Sequence, residues 1–376
     1  MMTKTSNPKK YHGLENLKEA NRQELEAALQ ELASGIEKLD QESIAGMQKR
    51  LDAKIKPLRS LGILEDIAQQ LAGILRTSQP EIKGKAVLLM AGDHGVVAEG
   101  VSAAPQEITA QMFYSYLSGG GGINVLARHG GAELICTDIG IAPPLDPPEL
   151  MANRVKNGTE NMAHGPAMTQ HEALLALLTG AHIAAQAIDS GINLLATGEV
   201  GIGNTTPSAA LVSVFTGHSV NEVTGRGTGV KDEALKHKQD IIKRAIEVNK
   251  PDPADPLDTL AKIGGLEIAA LVGVILEAAY QHVPVILDGI ISTAAALTAA
   301  QFAPLSALYM MSSHNSEEMG HQLALKKLDL QFRLDFHMRL GEGTGAALMF
   351  PIVEAALKIA DEMATFEAAG VTTGDF

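Results

Sequence analysis

Short apolar segments, each bounded by Gly, Pro or charged residues, alternate along this chain with longer helical patterns. The helical patterns include Glu172–Ser190 and Glu267–Gln281. Strands that alternate with helices in this way are typical of an α/β protein, with a mostly parallel sheet that helices cover on both faces. The predicted strands are Ala86–Ala91, Ala132–Asp138, Asn193–Thr197, Val283–Leu287 and Ala307–Met311.

Helical patterns also occupy both ends of the chain. Apolar residues spaced three or four apart between Asn21 and Leu58, and again over Leu61–Leu75, predict amphipathic helices ahead of the first strand. Ala346–Ala364 predicts a final helix, in which Pro351 marks either a kink or the true start. The predicted units are a helical arm or small domain at residues 1–80, an α/β core at 81–330 and a C-terminal segment at 331–376.

The bulk composition argues against several classes of protein. Of 376 residues, 45% are hydrophobic and 20% are charged, which is ordinary for a globular protein. A net charge of −14 without a basic face argues against nucleic-acid binding, although a phosphate can still bind locally through backbone N–H groups. The single cysteine, Cys136, lies in an apolar run and is interpreted as a buried hydrophobe. Because neither a signal peptide nor a membrane-spanning stretch is evident, we predict a soluble cytoplasmic protein.

Polar residues follow the predicted strands at the point where each strand ends. In an open α/β sheet, the edge formed by the carboxyl ends of the strands holds the ligand. We therefore expect these side chains to converge on one crevice. They are Asp93, His94, Asp138, Glu199, Asp288 and His314.

Two glycine-rich segments are candidates for anion binding. Thr197–Pro207 combines a strand end, several glycines, two threonine hydroxyls and a following helix, so that backbone and helix N-terminus can approach a phosphate. It is neither a P-loop nor a dinucleotide fingerprint, and the alternative is a tight turn with a threonine N-cap. Gly225–Gly229 is followed by Lys231 and Lys238, which indicates a second anion site, although Lys238 alone is more typical of a solvated helix face.

A glutamate between glycines, in Leu340-Gly-Glu-Gly-Thr-Gly345, leads into the final apolar helix. General acid–base catalysis needs a carboxylate in a dry pocket, whereas the alternative is an acidic residue favoured by the helix dipole. Asp93 and His94 serve either chemistry or local backbone contacts. His314 and His321 are seven residues apart, a poor match to zinc ligation, so we predict no metal site.

Together these segments resemble the nicotinate-nucleotide:dimethylbenzimidazole phosphoribosyltransferases of cobalamin assembly. Each segment is weak evidence alone, but their order along residues 91–348 is highly specific. The matching segments read AGDHGVVAEGVSA, INVLARHGGAEL, GPAMT, TGEVGIGNTTPSAAL, GRGTG, GGLEIAAL, LDGIISTAAAL and MRLGEGTGAAL.

The resemblance implies a Rossmann-like sheet with a small helical domain, a homodimer, and catalysis without a metal or redox cofactor. The implied reaction moves a 5-phosphoribosyl group from nicotinate mononucleotide to a ring nitrogen of dimethylbenzimidazole. Glu342 matches the general base that takes the proton from the incoming base. Glu199 and Asp288 match residues that line the nucleotide site near the ribose and the departing ring. The remaining matches are Gly201, Gly203, Gly227 and Lys238 at the phosphate, Ser316 beside the nicotinate, and Ser102 and Gln106 in the loop that borders the base pocket.

Two departures from the family pattern leave the base open. Lys56-Pro-Leu-Arg-Ser-Leu-Gly62 replaces Lys-Pro-Pro-Gly-Ser-Leu-Gly and adds a cation to the N-terminal arm, and Ala104 stands where an aromatic residue often precedes proline. The loss of that ring enlarges or loosens the base pocket, so transfer to adenine, another benzimidazole or a phenol is an alternative. A non-catalytic nucleotide sensor and a metal-dependent hydrolase that uses Asp93, His94 and His314 are alternatives from other classes.

Overall fold

A computed structural model describes residues 16–225 and 232–372. The strands in this part of the chain are β1 (Lys85–Gly92), β2 (Glu133–Gly140), β3 (Leu194–Val200), β4 (Val285–Leu287) and β5 (Met310–Ser312). They form one parallel sheet in the order β2-β1-β3-β4-β5. The α/β architecture predicted from the alternating pattern is confirmed.

Helices precede, separate and follow the strands. The α-helices are α1 (Arg22–Ser34), α2 (Gln41–Asp52), α3 (Ile63–Leu75), α4 (Ile108–Leu117), α5 (Gly122–His129), α6 (Gln170–Asp189), α7 (Thr205–Thr216), α8 (Val220–Val223), α9 (Asp232–Asn249), α10 (Pro256–Ile263), α11 (Leu266–Tyr280), α12 (Ile290–Phe302), α13 (Met319–Lys327), α14 (Thr344–Glu362) and α15 (Phe366–Ala369). Single 3₁₀ segments cover Leu17–Glu19, Gly95–Glu99, Pro148–Met151 and Pro304–Tyr309. Within residues 16–225 and 232–372, no helix is both long enough and apolar enough to cross a membrane.

The strand predicted over Ala307–Met311 is partly wrong. Pro304–Tyr309 forms a 3₁₀ segment, and only Met310–Ser312 pairs with β4. Proline at the first position of a helical segment has its φ already set for helical backbone, and this local effect overrides the apolar pattern that follows. Pro351 lies inside α14, which begins at Thr344, so it does not mark the start of the final helix.

The helical pattern between residues 21 and 58 resolves into two helices. Gly35 ends α1, and Asp40 begins α2 by accepting a hydrogen bond from the Glu42 N–H. An aspartate at this position satisfies an N–H group that has no partner inside the helix. The amphipathic pattern continues across the break, which is why the sequence alone suggests one longer helix.

Close helix packing buries the sheet. Helix α11 packs against β1, β2 and β3, and it also crosses α6. At that crossing a Cβ on Gly180 would lie 1.9 Å from the Ala270 carbonyl oxygen, and one on Gly273 would lie 1.8 Å from the Leu177 carbonyl oxygen. Only glycine permits this approach of the two backbones. Strand β3 is buried along its whole length, and its one carboxylate, Glu199, lies next to its carboxyl end.

The N-terminal helices pack against the C-terminal helix. Helix α14 contacts α2 and α3 as well as β3 and β4. Arg50 of α2 lies 2.5 Å from the Asp361 carboxylate, and the Ile55 N–H donates to the Ala364 carbonyl oxygen at 3.1 Å. Helix α14 therefore joins the terminal helices to the sheet, and the glutamate loop immediately precedes it.

Candidate active site

A cavity of about 310 Å³ lies at the carboxyl ends of the central and later strands. Its walls come from the segments after β3, β4 and β5, from α4 and from the loop before α14. Its polar lining residues are Tyr116, Glu199, Asn204, Thr205, His314, Ser316, Glu318, Arg339 and Glu342. A larger groove of about 520 Å³ lies beside α1, but Glu26 is the one titratable residue in its described lining. Convergent titratable groups therefore point to the smaller cavity.

The expected convergence of polar strand ends is correct for β3, β4 and β5. Glu199 and His314 line the cavity, and the Asp288 carboxylate lies 3.9 Å from His314 Nδ1. The expectation is wrong for Asp138, whose carboxylate accepts the Ile141 N–H at 2.8 Å and pairs with Arg154 at 2.7 Å. The cavity lies over β3, β4 and β5, and β1 separates β2 from these strands.

His94 lies behind the cavity wall and does not line it. Its Nε2 atom is 2.7 Å from Glu267 Oε1, and both side chains are buried. Although burial opposes the effect, the Glu267 carboxylate raises the pKa of His94. A Cβ on Gly201 would lie 3.2 Å from His94 Nε2, so the ring supports the glycine-rich turn after β3 from behind.

Asp93 supports the same turn by a second route. Burial raises the pKa of this carboxyl group, whereas the Ala142 N–H, which it accepts at 2.8 Å, and the Thr109 hydroxyl act in the opposite direction. The Oγ1 atom of Thr109 in turn accepts the Ile202 N–H at 3.1 Å. The Asp93-His94 pair thus has a structural role in holding the glycine-rich turn, rather than a place in the cavity lining.

Glu199 ends β3 with its carboxylate in the cavity. One oxygen accepts the Glu342 N–H at 3.3 Å, and the other accepts the Asn204 side-chain amide. Burial, reinforced by the negative charges of Asp288 and Glu267, raises the pKa of Glu199 to about 8. A positive charge placed next to this carboxyl group would stabilise its ionised form and lower its pKa.

Glu342 occupies an unusual backbone conformation. Its φ angle is +62°, between Gly341 at +82° and Gly343 at +90°. Glutamate in this left-handed region costs roughly 1–3 kcal/mol, and such residues cluster at functional sites. The flanking glycines accept positive φ without a Cβ clash, so they let the chain place a carboxylate at the tip of this turn.

Asp288 holds the turn in place. Its carboxylate accepts three backbone N–H groups, from Gly343 at 3.2 Å, Gly345 at 2.8 Å and Ala346 at 3.1 Å. Burial raises the pKa of Asp288, while the nearby His314 acts in the opposite direction. These hydrogen bonds satisfy the first turn of α14 and offset the backbone strain at Glu342.

The Glu342 carboxylate is buried and anchored. Its Oε2 atom accepts the Ile123 N–H, in the first turn of α5, at 3.1 Å. Tyr116 lines the same cavity as this carboxylate. A carboxylate has about four lone-pair positions, so sites remain for a further donor in the cavity. This placement suits a general base.

A buried cation marks another part of the site. Lys238 of α9 is 1% exposed, and its Nζ atom donates to Thr205 Oγ1 at 2.6 Å. Thr205 begins α7 and lines the cavity. Burial lowers the pKa of Lys238 to about 8, and the Glu318 carboxylate acts in the opposite direction. An ammonium group beside a helix N-terminus and a glycine-rich turn has the features of a phosphate site.

Known proteins match the chain over most of its length. Residues 36–371 match the model of a family described as phosphoribosyltransferase. A Desulforamulus reducens protein named nicotinate-nucleotide–dimethylbenzimidazole phosphoribosyltransferase is 53% identical over 348 residues, which cover 92% of this chain and 99% of that relative. The chain belongs to this phosphoribosyltransferase family.

Further comparisons agree with that assignment. A Geobacter sulfurreducens protein of the same name is 50% identical over 349 residues, covering 93% of this chain and 99% of that relative. The crystal structure of CobT from Thermus thermophilus has a TM-score of 0.85 and 44% sequence identity, covering 89% of this chain and 100% of that one. The family and enzyme class predicted from the ordered motifs are confirmed.

The phosphoribosyltransferase brings most of its predicted site residues to the cavity or its wall. Glu342, Glu199, Gly201 and Ser316 line the cavity. Asp288 and Lys238 contact lining segments, and Gly203 lies in the turn between Ile202 and Asn204. Ser102 and Gln106 flank Ala104, which lines the cavity, and Ser102 Oγ accepts the Ala104 N–H at 3.2 Å. Gly227 lies outside the described residues.

Several residues of the phosphoribosyltransferase site had no assigned role from sequence. Asn204 lies within the glycine-rich segment already singled out, so its position was the available signal. Glu267 is a glutamate at the start of an otherwise apolar helix, in the segment GGLEIAAL, and this was a weaker signal. Tyr116 lies in a helix with no motif of its own, and only its place in the cavity lining reveals it.

The residues named for the hydrolase alternative have protein partners in the phosphoribosyltransferase. Asp93 accepts the Ala142 N–H, His94 pairs with Glu267, and His314 Nδ1 lies 3.0 Å from Ser313 Oγ. In the described part of the chain, no three His, Cys, Asp or Glu side chains are grouped to hold a metal ion. Family membership favours group transfer over hydrolysis.

Proposed function

We propose that this enzyme transfers the 5-phosphoribosyl group of nicotinate mononucleotide to dimethylbenzimidazole, giving α-ribazole 5′-phosphate and nicotinate for cobalamin biosynthesis. One observation carries the proposal. Two buried carboxylates, Glu199 and Glu342, line one cavity, where Glu199 accepts the Glu342 backbone N–H at 3.3 Å, and the partner of a buried lysine lines the same cavity. The names of the relatives contain the same two substrates.

The nucleotide phosphate binds at the start of α7. Lys238 supplies a positive charge there, and the glycines at 201 and 203 let the turn pack closely against Gly92 and Val97. Binding of a phosphate dianion favours the ammonium form and raises the pKa of Lys238 from its value of about 8 in the free protein. Because Lys238 is already buried, phosphate binding adds little to the free-energy cost of removing its ammonium group from water.

The transfer exchanges one bond to ribose C1′ for another. The bond from C1′ to the pyridinium nitrogen breaks, and its electron pair neutralises the ring as nicotinate leaves. A ring nitrogen of the incoming base forms the new bond from the opposite face, which converts a β-nucleotide into an α-riboside. Glu342 takes the ring N–H proton of the base, so the product is neutral at that ring. A well-placed general base contributes about 10²–10⁴-fold to such a step.

Glu199 stabilises the positive charge of the nucleotide and of the ribose as the leaving bond breaks. With a pKa of about 8, it is mostly protonated in the free protein at neutral pH. A pyridinium nucleotide brings a cation into the cavity, which lowers that pKa, so nucleotide binding and Glu199 ionisation reinforce each other. The ionised carboxylate then opposes the oxocarbenium-like charge in a buried setting, where electrostatic stabilisation is strong.

Ala104 leaves the identity of the base to be tested. It lines the cavity with Ile108 and Met112, so this wall is apolar and carries no ring at position 104. An apolar wall favours a methylated benzimidazole over adenine, whose exocyclic amine would lose hydrogen bonds to water. A panel of dimethylbenzimidazole, benzimidazole, adenine and a phenol, each incubated with nicotinate mononucleotide, separates these bases by mass spectrometry of the products.

The decisive experiment combines that assay with Glu342→Gln. Stoichiometric release of nicotinate and riboside phosphate supports the proposed reaction. We expect Glu342→Gln to lower turnover by about 10²–10⁴-fold while nicotinate mononucleotide binding, measured by calorimetry, is nearly unchanged. Glu362→Gln, an exposed position on α14, is the matched control and should retain full turnover. No release with any base would instead favour the nucleotide sensor.

We further propose that the enzyme is a homodimer. Large apolar side chains are exposed on two segments, residues 58–63 and 332–340. The exposed residues are Leu58, Ile63, Phe332, Phe336 and Leu340. Apolar surface of this kind is typical of protein interfaces. Light scattering should give twice the mass of one chain, and the mass of a single chain would contradict the proposal.

A further inference from the structure

His314 is a buried histidine in the cavity wall to which the proposed reaction assigns no role. It lies just after β5, is 2% exposed and lines the cavity. Its backbone is held on both sides, since the Asn315 N–H donates to the Leu334 carbonyl oxygen at 2.7 Å and the Leu334 N–H donates to the Ser313 carbonyl oxygen at 3.0 Å. His321 Nε2 donates to the His314 carbonyl oxygen at 3.0 Å. The imidazole ring is therefore attached to a fixed segment of backbone.

One edge of this ring packs against protein. A Cβ on Gly345, in the first turn of α14, would lie 1.9 Å from His314 Nδ1, 2.4 Å from Cε1 and 2.8 Å from Cγ. Because these three atoms face α14, the opposite edge, with Nε2 and Cδ2, is the one that lines the cavity. No group in the described part of the chain hydrogen-bonds His314 Nε2.

The hydrogen bonds around Ser313 decide which ring nitrogen carries the proton. Ser313 Oγ lies 2.7 Å from the Leu287 carbonyl oxygen, which can only accept, so the single hydroxyl proton is directed there. At its 3.0 Å contact with His314 Nδ1, Ser313 Oγ must then accept, and Nδ1–H is the donor. The Asp288 carboxylate, 3.9 Å from Nδ1, is too distant to replace this bond. In this tautomer of the neutral ring, Nε2 carries a lone pair and no proton, so His314 presents a hydrogen-bond acceptor to the cavity.

The substrates of the proposed reaction contain few donors for such an acceptor. At neutral pH the phosphate and the carboxylate of nicotinate mononucleotide accept hydrogen bonds, and the pyridinium nitrogen is bonded to C1′ and carries no proton. The donors of the nucleotide are therefore the 2′- and 3′-hydroxyl groups of its ribose. The ring N–H of the incoming base is the other donor, and in the proposed mechanism its proton goes to Glu342.

We propose that His314 Nε2 accepts a hydrogen bond from a ribose hydroxyl of the nucleotide and so fixes the sugar in the cavity. This inference rests on the proposed function, because the ribose belongs to nicotinate mononucleotide. His314 packs against Gly345, three residues after Glu342, so a sugar held at Nε2 lies near the loop that carries the candidate base. His314 acts here as a substrate-binding residue, and no proton is transferred to it.

The first test is calorimetry of nucleotide binding in the absence of an acceptor base. The ligands are nicotinate mononucleotide and its 2′-deoxy and 3′-deoxy analogues, and the proteins are the wild type, His314→Phe and His129→Phe. Phenylalanine keeps a ring at the buried position but has no acceptor. His129 is exposed at the end of α5, so its variant is the matched control and should bind all three ligands as the wild type does.

The expected result is a loss of affinity that depends on both partners. The wild type should bind one of the two deoxy analogues about three- to tenfold more weakly than nicotinate mononucleotide, as expected for one hydrogen bond between neutral groups. His314→Phe should bind nicotinate mononucleotide more weakly by a similar factor. It should show no further loss with that deoxy analogue, because the missing hydroxyl no longer has a partner.

The second test observes the ring nitrogens directly by ¹⁵N NMR of the histidine-labelled wild type. The His314 signals are assigned from their absence in His314→Gln. A protonated Nδ1 and an unprotonated Nε2 support the inference, and the Nε2 signal should shift when nicotinate mononucleotide binds. A ring protonated on both nitrogens, or on Nε2 alone, would overturn it.

The remaining outcomes separate this inference from the proposed function. Equal penalties for the deoxy analogues in the wild type and His314→Phe would overturn the inference. So would wild-type affinity for both analogues equal to that for nicotinate mononucleotide, a result that does not depend on whether any variant folds. If the wild type does not bind nicotinate mononucleotide, the proposed function fails, and the NMR measurement still decides whether Nε2 is an acceptor.

Discussion

Replacement of Asp288 by asparagine tests how the structure holds its catalytic loop. The Asp288 carboxylate accepts the Gly343 N–H through one oxygen, and the Gly345 and Ala346 N–H groups through the other. Asparagine keeps one acceptor oxygen, which can serve the latter two. Its amide nitrogen then faces the Gly343 N–H, so two donors meet in a buried site.

The magnitude follows from these contacts. Loss of one hydrogen bond to a charged acceptor costs about 1.5–3 kcal/mol, and loss of a negative charge at the N-terminus of α14 costs about 0.3–2 kcal/mol more. Removal of a buried charge offsets part of this, as the raised pKa of Asp288 indicates. We expect the free energy of unfolding to fall by about 2 kcal/mol. A shift of roughly 1 Å in the Glu342 loop lowers kcat by about 10²-fold.

The assay pairs urea unfolding with steady-state nicotinate release. Asp255→Asn is the control, because Asp255 caps α10 by accepting the Asp258 N–H at 3.0 Å and lies outside the cavity lining. Asparagine and aspartate are nearly equivalent at such a position, so both stability and kcat should be retained. Wild-type kcat and wild-type unfolding in Asp288→Asn would refute the reasoning. A raised KM with unchanged kcat would place Asp288 on the nucleotide instead.

Three further predictions concern the rest of the cavity. The pKa of Glu199 rises from 4.5 to about 8 on folding. The stabilisation from this group is therefore complete below pH 4.5 and is lost as the pH rises toward 8. In urea unfolding at different pH values, Glu199→Gln should lose less stability over this range than the wild type. Lys238→Met should raise the KM for nicotinate mononucleotide about tenfold or more, whereas exposed Lys236→Met should not. Ala104→Phe should lower the KM for dimethylbenzimidazole about two- to tenfold through ring stacking, and an unchanged KM would remove position 104 from the base pocket.

Hydrophobic periodicity predicted the strands and helices whose formation depends mainly on neighbouring residues. Alternation of short apolar runs with amphipathic helices predicted a parallel sheet, because strands buried on both faces must be apolar throughout. The errors fall where a single residue overrides the pattern, as Pro304 does ahead of β5 and Gly35 does between α1 and α2. Neither effect is visible in hydrophobic periodicity.

The candidate site divides in a similar way. Glu199 and Glu342 were found because each stands next to glycines at the end of an element, and that local setting is written in the sequence. Asp138 lies near the end of β2, yet it stays apart from the cavity, because β1 separates β2 from β3 and Arg154 pairs with its carboxylate. Strand order is set by packing between distant segments, so no local pattern contains it.

The sequence by itself determined the reaction class, the sheet and the glutamate that serves as the candidate base, since ordered motifs and periodicity depend on neighbouring residues. Only the tertiary structure decided which groups act together. Asp288 accepts the N–H of Gly343, which lies 55 residues away in the sequence. Glu342 accepts the N–H of Ile123, which lies 219 residues away. Contacts over such separations form only when the whole core packs, and they convert a glutamate in a glycine-rich turn into a carboxylate held in one orientation.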